Sequence, residues 1–494
     1  MRRTGLLEAW RRRPFARPAG TLIRRPPAPL AALLAAVALV GVAWALFVPP
    51  FQVPDEGSHL AYVQNLAREL KRPAAVPPRT PPVFSGELWA ALNVSRGRWF
   101  VGGNDIKSVF SGAPERRYAA ATRRLAPGAH QRVSNASNQA NDPPLYYAYE
   151  ALPYRLSGGN LFDRLFAMRL WSVLLLLVTT LGAWLLAGEL TGRDRVLQLV
   201  GAGCVGLQPM VTFMSGAVNP DAAVYALSAI VLWLGVRLLR RGPTLLGVVS
   251  LLAALLAGGL VKSGLLTLGP AVAVAAIVSV RRARAAGSGW KLAPWQVATA
   301  SALVLAGGLA ASRHVFDNLP RAAELRGLAS YVWQFYLPRL PFQAPVPGID
   351  PFGVYHVWLI GSWGDFGWLD VVFPRAVYLL LGCVSIGAFA GAAVALRRRR
   401  VRVDPAVIAF FAIAIACLLV ALHLSEWHSL VQGGGARNQG RYLLPLLPIA
   451  GTAMAVALTN LRPARRAPAA ALVMGGMAAL QLFSLAIVAG RFYV

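Results

Sequence analysis

Eleven long apolar stretches, separated by polar or basic segments, dominate the pattern of this chain. Each stretch holds about 17 to 24 mostly apolar residues, which is the length of an α-helix that crosses a bilayer. They lie near residues 28–48, 167–190, 196–215, 222–239, 244–261, 264–280, 295–311, 375–396, 404–424, 442–459 and 468–490. The pattern predicts an all-α polytopic membrane protein with about eleven transmembrane helices. Because two of the breaks are short, a count of about nine to thirteen would also fit.

The composition agrees with this class of protein. Of 494 residues, 56% are hydrophobic and only 14% are charged, an apolar content above that of most soluble globular proteins. The formal net charge of +29 would fit a nucleic-acid-binding protein, but no basic-aromatic module or helix-turn-helix pattern accompanies it. We therefore expect no nucleic-acid partner. The three cysteines lie inside apolar stretches without metal-ligand or redox spacing, and we interpret them as small buried hydrophobic residues.

Lysine and arginine are distributed unevenly between the short loops, and this bias predicts the orientation in the membrane. With the amino terminus inside, the inner segments carry nearly all of the basic clusters. We expect residues 1–27 to form a basic cytoplasmic leader and residues 28–494 an integral membrane domain, with the carboxy terminus outside. The short outer loops and the carboxy-terminal tail then hold only Lys262, Arg437, Arg441 and Arg491.

Two of the predicted outer loops are long. Residues 49–166 and 312–374 exceed the length of simple connectors, and we expect them to form a small extracytoplasmic cap. The second loop is rich in Trp and Tyr, whose amphipathic rings are favoured at the level of the lipid headgroups.

The first outer loop opens with FQVPDEGSH, which places Asp55, Glu56 and His59 just outside the first apolar stretch. Pro54 suits the first position of a helix, and two carboxylates in the first turn suit the positive end of the helix dipole. This segment is therefore a good helix start on structural grounds alone. A second interpretation is functional, because residues three and four apart share one helix face and these three side chains could converge.

Six further polar residues belong to segments that the topology places on the same outer side. A structural explanation exists for several of these segments, since Asn219 suits a helix cap, Lys262 could extend to the interface and Asp365 could bond within a turn. Polar groups placed for solubility would not need to favour one side, however. We therefore expect a binding site that includes Asp142, Asp221, Lys262, Asp365, Arg437 and Arg441.

The Gly-rich segment GGGARNQGR at 433–441 contains two of these residues, Arg437 and Arg441. It lacks the terminal Gly-Lys-Ser/Thr of a nucleotide-binding phosphate loop. Exposed backbone N–H groups, a helix start and two guanidinium groups together predict an oxyanion or phosphate site. Both arginines also oppose the orientation bias, which favours a functional interpretation.

The motifs resemble, as an ordered set, a family of multispanning bacterial membrane proteins, the domain-of-unknown-function 2142 family. The matching segments are FQVPDEGSH, PPLYY, SGAVNPDA, the hairpin at Lys262, WQFYLP, GDFGWLD and QGRYLLPLLP. Members of that family look like glycosyltransferases of the GT-C superfamily, which carry an acidic motif in the first outer loop. The resemblance implies an inverting sugar transfer, from a polyprenyl-phosphate-linked donor to an acceptor at the outer face, with Asp55 and Glu56 at the acidic motif.

The chemistry of such a transfer fits the predicted layout. One carboxylate, for which we favour Asp55, would take the proton of the acceptor hydroxyl as it attacks the anomeric carbon. Lysine and arginine side chains would stabilise the phosphate leaving group. Glu56 and His59 would hold or tune Asp55, or bind the acceptor.

The same residues define the expected cofactors and partners. No cofactor is required, although a divalent cation held by Asp55, Glu56, His59 or Asp221 is compatible with the spacing. The expected partners are the lipid bilayer, a polyprenyl-phosphate sugar donor, and an envelope polysaccharide, lipid or protein as acceptor.

Other functions stay open at this point. A transporter or flippase of lipid-linked sugars would need ionisable residues inside several helices and related repeat halves, and the apolar stretches show neither. A noncatalytic subunit for cell-envelope assembly is a further alternative. So is a ligase that moves a whole glycan chain from a polyprenyl diphosphate.

Overall fold

The computed structural model describes residues 26–74, 77, 80–96, 112–125, 137–287, 290, 293–311, 324–346, 353–434 and 436–493. This part of the chain is mostly helical, as the sequence predicts. Among the described residues, eight helices are long and apolar enough to cross a membrane, or nine if one bent pair is a single span. The chain is thus a multi-pass membrane protein. Most of the predicted leader, 1–27, lies outside the described residues.

The helices follow one another along almost the whole described chain. They are α1 Ala28–Phe47, α2 Glu56–Glu69, α3 Gly86–Val94, α4 Gly112–Arg123, α5 Leu145–Leu156, α6 Leu161–Leu190, α7 Arg195–Gly206, α8 Pro209–Ser215, α9 Asp221–Arg241, α10 Leu245–Val261, α11 Gly269–Ala285, α12 Pro294–Ala311, α13 Leu325–Tyr336, α14 Gly361–Trp363, α15 Arg375–Arg397, α16 Pro405–Val431, α17 Leu447–Ala457 and α18 Pro463–Phe492.

Shorter elements connect these helices. The 3₁₀ segments are Ser137–Asn141, Ser263–Leu268, Gly440–Leu446 and Leu458–Asn460, and Val354–Ile360 is a π-helical turn. Two short strands, β1 Asp365–Phe366 and β2 Val371–Val372, pair antiparallel as a hairpin, with Asp365 opposite Val372.

Each of the eleven predicted stretches contains a helix, but the number of spans is not established as eleven. Leu245–Val261 and the apolar part of Pro294–Ala311 are shorter than the other spans, and α7 and α8 meet at a bend of 59°. The bend has a local cause. Pro209 cannot donate a backbone hydrogen bond, and the Gln208 side chain instead accepts from Val211 N at 2.7 Å, which starts a new helix.

The second predicted span begins earlier than its apolar run. The Asn160 side chain accepts from Phe162 N at 2.8 Å, and the Asp163 carboxylate accepts from Asn160 N at 2.8 Å. This capping box starts α6 at Leu161 rather than at 167. Polar residues in a first turn are hidden from a search for apolar runs, so the first loop ends sooner than predicted.

The transmembrane helices approach closely where small residues face each other. A Cβ placed on Gly182 of α6 would lie 2.8 Å from the Ala229 Cβ of α9. A Cβ on Gly451 of α17 would overlap the Gly201 carbonyl oxygen of α7. Small residues let helix backbones approach, which is how helices gain van der Waals contact inside a bilayer.

The two long predicted loops contact one another. The Trp368 indole N–H of the second loop donates to the Phe51 carbonyl of the first at 3.0 Å. Within the first loop, the rings of Tyr62 on α2 and Tyr147 on α5 stack with centroids 3.7 Å apart. These contacts hold the start of α2 next to the β1–β2 hairpin. Their assignment to an extracytoplasmic cap stays a prediction.

The contact between α7 and α17 predicts the effect of one added methyl group. Gly451→Ala forces a Cβ against backbone, which cannot rotate away, so the two helices must separate. Overpacking of this kind costs about 1–3 kcal/mol, and we expect a lower melting temperature for the detergent-solubilised protein. Gly476→Ala is the control, because nothing lies within 4 Å of its added Cβ. Equal melting temperatures for the two variants would contradict the packing.

Candidate functional site

Two basic side chains from distant parts of the chain, Lys262 and Arg441, meet at Asp221, the first residue of α9. Lys262 Nζ donates to Asp221 Oδ1 at 2.8 Å. Arg441 Nε lies 3.3 Å from Asp221 Oδ2, in an orientation that is not a hydrogen bond. Asp221 and Arg441 are almost fully buried, and Lys262 is about one-third exposed. One buried carboxylate therefore faces two cations, and the cluster carries a positive excess.

Local backbone geometry explains how these three residues reach the same place. The Asn219 side chain accepts from Asp221 N at 3.0 Å and caps the start of α9, so the predicted cap and the charged cluster are both present. Lys262 ends α10 in an extended conformation, immediately before a 3₁₀ segment. Arg441 lies in the first turn of the 3₁₀ segment Gly440–Leu446.

A cavity of about 510 Å³ opens beside this cluster. Its lining includes five of the predicted site residues, all of them charged, and five leucines from the Ser263–Leu268 segment and from α16. The structure thus brings most of the predicted binding residues together, whereas Asp55, Glu56, His59 and Asp365 do not line this cavity. The five charged lining residues are Asp142, Asp221, Lys262, Arg437 and Arg441.

Asp55 lies next to the cluster in a constrained conformation. It precedes α2 with φ 62° and ψ 7°, the left-handed region that a residue other than glycine adopts at a cost. Within the described part of the chain, its carboxylate has no hydrogen bond or ion pair. Burial raises the pKa of Asp55, while the positive charges of Arg441 and Lys262 oppose that rise. Asp55 is therefore an unpaired carboxylate within electrostatic reach of two cations.

Glu56, the second predicted catalytic residue, uses all of its hydrogen-bonding capacity inside the protein, and a catalytic role for it stays a prediction. Its Oε1 accepts from Arg169 Nε at 2.7 Å and from Val218 N at 3.2 Å. Its Oε2 accepts from Arg169 Nη2 at 2.6 Å and from Phe51 N at 2.9 Å. Both side chains of the ion pair are fully buried. The Glu56 carboxylate therefore connects the Asp55 segment to Arg169 and to Val218.

His59 belongs to a hydrogen-bonded chain that runs from the Asp55 segment to the cavity. Its Nδ1 lies 3.0 Å from the Tyr147 hydroxyl, which donates to Asp142 Oδ2 at 2.9 Å. Its Nε2 lies 3.4 Å from the Asn219 amide nitrogen. Burial, reinforced by the charge of Lys262, lowers the pKa of His59 to about 3, so the imidazole is neutral. Burial raises the pKa of Asp142 to about 6.

The four residues that could have held a divalent cation do not form a ligand set. Among the described residues, no group of three or more His, Cys, Asp and Glu side chains is arranged to hold a metal ion. The oxygens of Glu56 are occupied by Arg169, and both ring nitrogens of His59 have partners. Near Asp221, the positions that a cation would take are occupied by basic side chains.

The Gly-rich segment differs from the prediction in one respect. Its backbone N–H groups at Arg437 and Asn438 donate to Glu426 Oε2 of α16, at 2.7 and 2.8 Å. An anion does bind this loop, but it is a carboxylate of the same chain. The Arg437 side chain lines the cavity and is exposed, so it remains available for a ligand.

Asp365 lies in the β1–β2 hairpin, within electrostatic reach of Arg441. Its Oδ1 is buried and has no hydrogen-bond partner among the described residues. Burial and the nearby Asp370 carboxylate raise the pKa of Asp365 to about 6, although the charge of Arg441 opposes this rise. Asp370 itself pairs with Arg491 at 3.1 Å, which anchors the hairpin to α18.

The elevated pKa of Asp142 predicts a pH-dependent difference in stability. The folded protein favours the protonated carboxyl, so it binds more protons than the unfolded chain between pH 3.8 and about 6. Wild-type stability therefore falls as pH rises through this interval. Asp142→Asn lacks this titration and can still accept from Tyr147. We expect its melting temperature, relative to wild type, to increase from about pH 4 to about pH 7.

The control for this measurement is Glu69→Gln, because Glu69 is an exposed carboxylate on α2. Its difference from wild type is expected to be small across the same pH range. A constant difference between Asp142→Asn and wild type would contradict the assigned pKa.

Comparisons with known proteins place the chain in a family. A family model described as "Predicted membrane protein (DUF2142)" matches residues 38–450. The crystal structure of ArnT from Cupriavidus metallidurans in the apo state is 15% identical with a TM-score of 0.43, covering 93% of this chain and 74% of that chain. No curated protein matches the chain. Because the family model spans most of the sequence, this protein belongs to the DUF2142 family of membrane proteins.

Proposed function

We propose that this protein is a membrane-embedded glycosyltransferase that moves a sugar from a polyprenyl-phosphate-linked donor to a hydroxyl acceptor, with inversion at the anomeric carbon. One observation carries the proposal. One cavity is lined by three basic side chains and by leucines, and the Asp55 carboxylate, which has no partner among the described residues, is within electrostatic reach of two of those basic groups. A lipid phosphate has matching parts, because its headgroup is anionic and its tail is apolar.

The charged lining residues suit the phosphate of the donor. Asp221 offsets only part of the charge of Lys262 and Arg441, and the exposed Arg437 adds a third cation. Arginine binds phosphate oxygens through paired hydrogen bonds, while lysine acts as a point charge. These groups would stabilise the charge that develops on the leaving phosphate during transfer.

The lining leucines suit the prenyl chain. Leu265 and Leu268 come from the segment that continues into α11, and Leu418 and Leu422 come from α16. Both helices are among those long and apolar enough to cross a membrane. A prenyl chain in contact with these leucines would stay in apolar surroundings while its phosphate reached the cations.

Asp55 would act as the general base. Its carboxylate takes the proton of the acceptor hydroxyl, the acceptor oxygen bonds to the anomeric carbon, and the bond from that carbon to the phosphate oxygen breaks. The polyprenyl phosphate leaves with the bonding electron pair. A phosphate leaving group needs electrostatic stabilisation more than a proton, which fits a cavity lined by three cations.

The proposal includes a location and partners. The site would lie at the outer face of a bacterial plasma membrane, since the orientation bias puts the basic loops inside. A lipid-linked donor fits that location because nucleotide sugars stay in the cytoplasm. The acceptor would be an envelope polysaccharide, lipid or protein, and no cofactor is invoked.

The role of Asp55 predicts the effect of removing its charge. Asp55→Asn keeps the size of the side chain but cannot accept a proton, so sugar transfer in the purified, solubilised protein should fall about 10²–10⁴-fold. Glu69→Gln removes an exposed carboxylate from the same helix and should leave transfer unchanged. Undiminished turnover in Asp55→Asn would refute the base assignment.

The role of Arg437 predicts weaker binding of a sugar-free lipid phosphate. Because Arg437 is exposed and lines the cavity, Arg437→Gln should fold normally. We expect its Kd for decaprenyl phosphate to increase about tenfold or more, since a hydrogen bond to a charged group contributes about 1.5–3 kcal/mol. The control is Arg326→Gln on α13, an exposed arginine away from the cavity. Equal affinities for the two variants would place the phosphate elsewhere.

A further inference from the structure

We propose that the buried ion pair between Glu56 and Arg169 is a positioning device, which sets the place of the Asp55 carboxylate relative to the cationic cluster. The inference rests on the proposed function, since it assumes that Asp55 is the base. Glu56 and Arg169 would be positioning residues because they contact other parts of the protein and not the reactants. Arg169 was not predicted from the sequence.

The first line of support is what Glu56 holds. It is the residue after Asp55, and its carboxylate accepts from Phe51 N in the same loop and from Val218 N in a distant one. Val218 lies three residues before Asp221. One carboxylate therefore fixes the backbone near Asp55 and also the backbone near Asp221.

The second line of support is what Arg169 holds. Besides Glu56, its guanidinium donates to the carbonyl oxygens of Ala45, Val48 and Pro49, at 3.2, 2.6 and 3.1 Å. These carbonyls lie at the end of α1, and Arg169 itself lies on α6. Arg169 therefore connects α6 to the end of α1. Through Glu56 it also connects α6 to the loop before α9.

The third line of support is the constrained backbone of Asp55. A left-handed φ of 62° persists in a non-glycine residue only when the surroundings hold it. The ion pair holds Glu56, the residue after Asp55. The Asn219 amide donates to the carbonyl of Pro54, the residue before Asp55, at 3.3 Å. Asn219 and Val218 are adjacent, so both restraints reach Asp55 from the segment that leads to Asp221.

The distinguishing measurement is the pH dependence of transfer. The cations that stabilise the Asp55 carboxylate are within electrostatic reach only while the loop keeps its place. If the loop shifts, both the burial that raises the pKa of Asp55 and the cations that oppose this rise change, and the acidic limb of the pH–rate profile moves. The charged groups that act on Asp55 from the elements around it are Arg441, Lys262, Asp221 and Asp142.

The principal variant is Arg169→Lys, which keeps the charge but cannot bond two carboxylate oxygens and three carbonyls together. We expect kcat to fall about 100-fold, since a displacement of about 1 Å at a reacting group has that effect. We expect the Kd for decaprenyl phosphate to change less than about twofold and the acidic limb of the pH–rate profile to move. Turnover is measured per site that binds decaprenyl phosphate, so a misfolded fraction is not counted.

The matched control is Arg241→Lys, because Arg241 also pairs with a buried glutamate, Glu189, at 2.7 Å, far from the cavity. It should lower the melting temperature without moving the pH–rate profile. Glu56→Asp is the second principal variant, and it shortens the pair by one methylene without changing its charge. It should reproduce the changes in kcat and pH dependence if Arg169→Lys does not fold.

Two results would separate the inference from the proposed function. If Asp55→Asn abolishes transfer but Arg169→Lys and Glu56→Asp change only the melting temperature, as Arg241→Lys does, the pair is an anchor and the inference is wrong. If Asp55→Asn keeps full activity, the proposed base fails first, independently of the ion pair.

Discussion

The position of Asp221 constrains the whole candidate site, because a buried carboxylate must be compensated. Removing a charge from water costs several kcal/mol unless a partner is close, and Asp221 has two partners, Lys262 and Arg441. These side chains come from three elements that are separated by up to 220 positions in the sequence. Because their charges compensate one another, these side chains hold the start of α9, the end of α10 and the Gly440–Leu446 segment together. Three basic and two acidic side chains line the cavity, so its charged lining sums to +1, which favours an anionic ligand.

The sequence predicts most of the spans, and it predicts the convergence of Asp221, Lys262 and Arg441. Both predictions use properties that are visible in short segments, namely apolar length and the side on which a charge emerges. The ends of the helices are less predictable, as at α6, where a capping box of polar residues extends the helix beyond its apolar run. The break between α7 and α8 has a visible cause in Pro209, but an apolar run masks it.

Two of the predicted groups have partners in the same chain that no local pattern reveals. Glu56 resembles a free carboxylate at a helix start until Arg169, 113 residues later, occupies it. The N–H groups of the Gly-rich loop resemble an open anion site until Glu426 fills it from α16. A charged residue inside an apolar span is the available signal for Arg169, since such a residue requires a partner. The identity of that partner depends on tertiary packing, which no local pattern contains.

The closeness of an unpaired carboxylate and a cationic cluster has a chemical consequence. In water, Asp55 and its neighbouring cations would be screened from one another, and neither would influence the other strongly. Beside a cavity that leucines line, the effective dielectric constant is lower and each charge acts over a longer distance. The cations that would stabilise a leaving phosphate then also oppose the burial that raises the pKa of Asp55. A site of this kind needs the carboxylate to stay close to the cations without pairing with them. A backbone held in a left-handed turn, between two restraints from the Asp221 segment, meets that requirement.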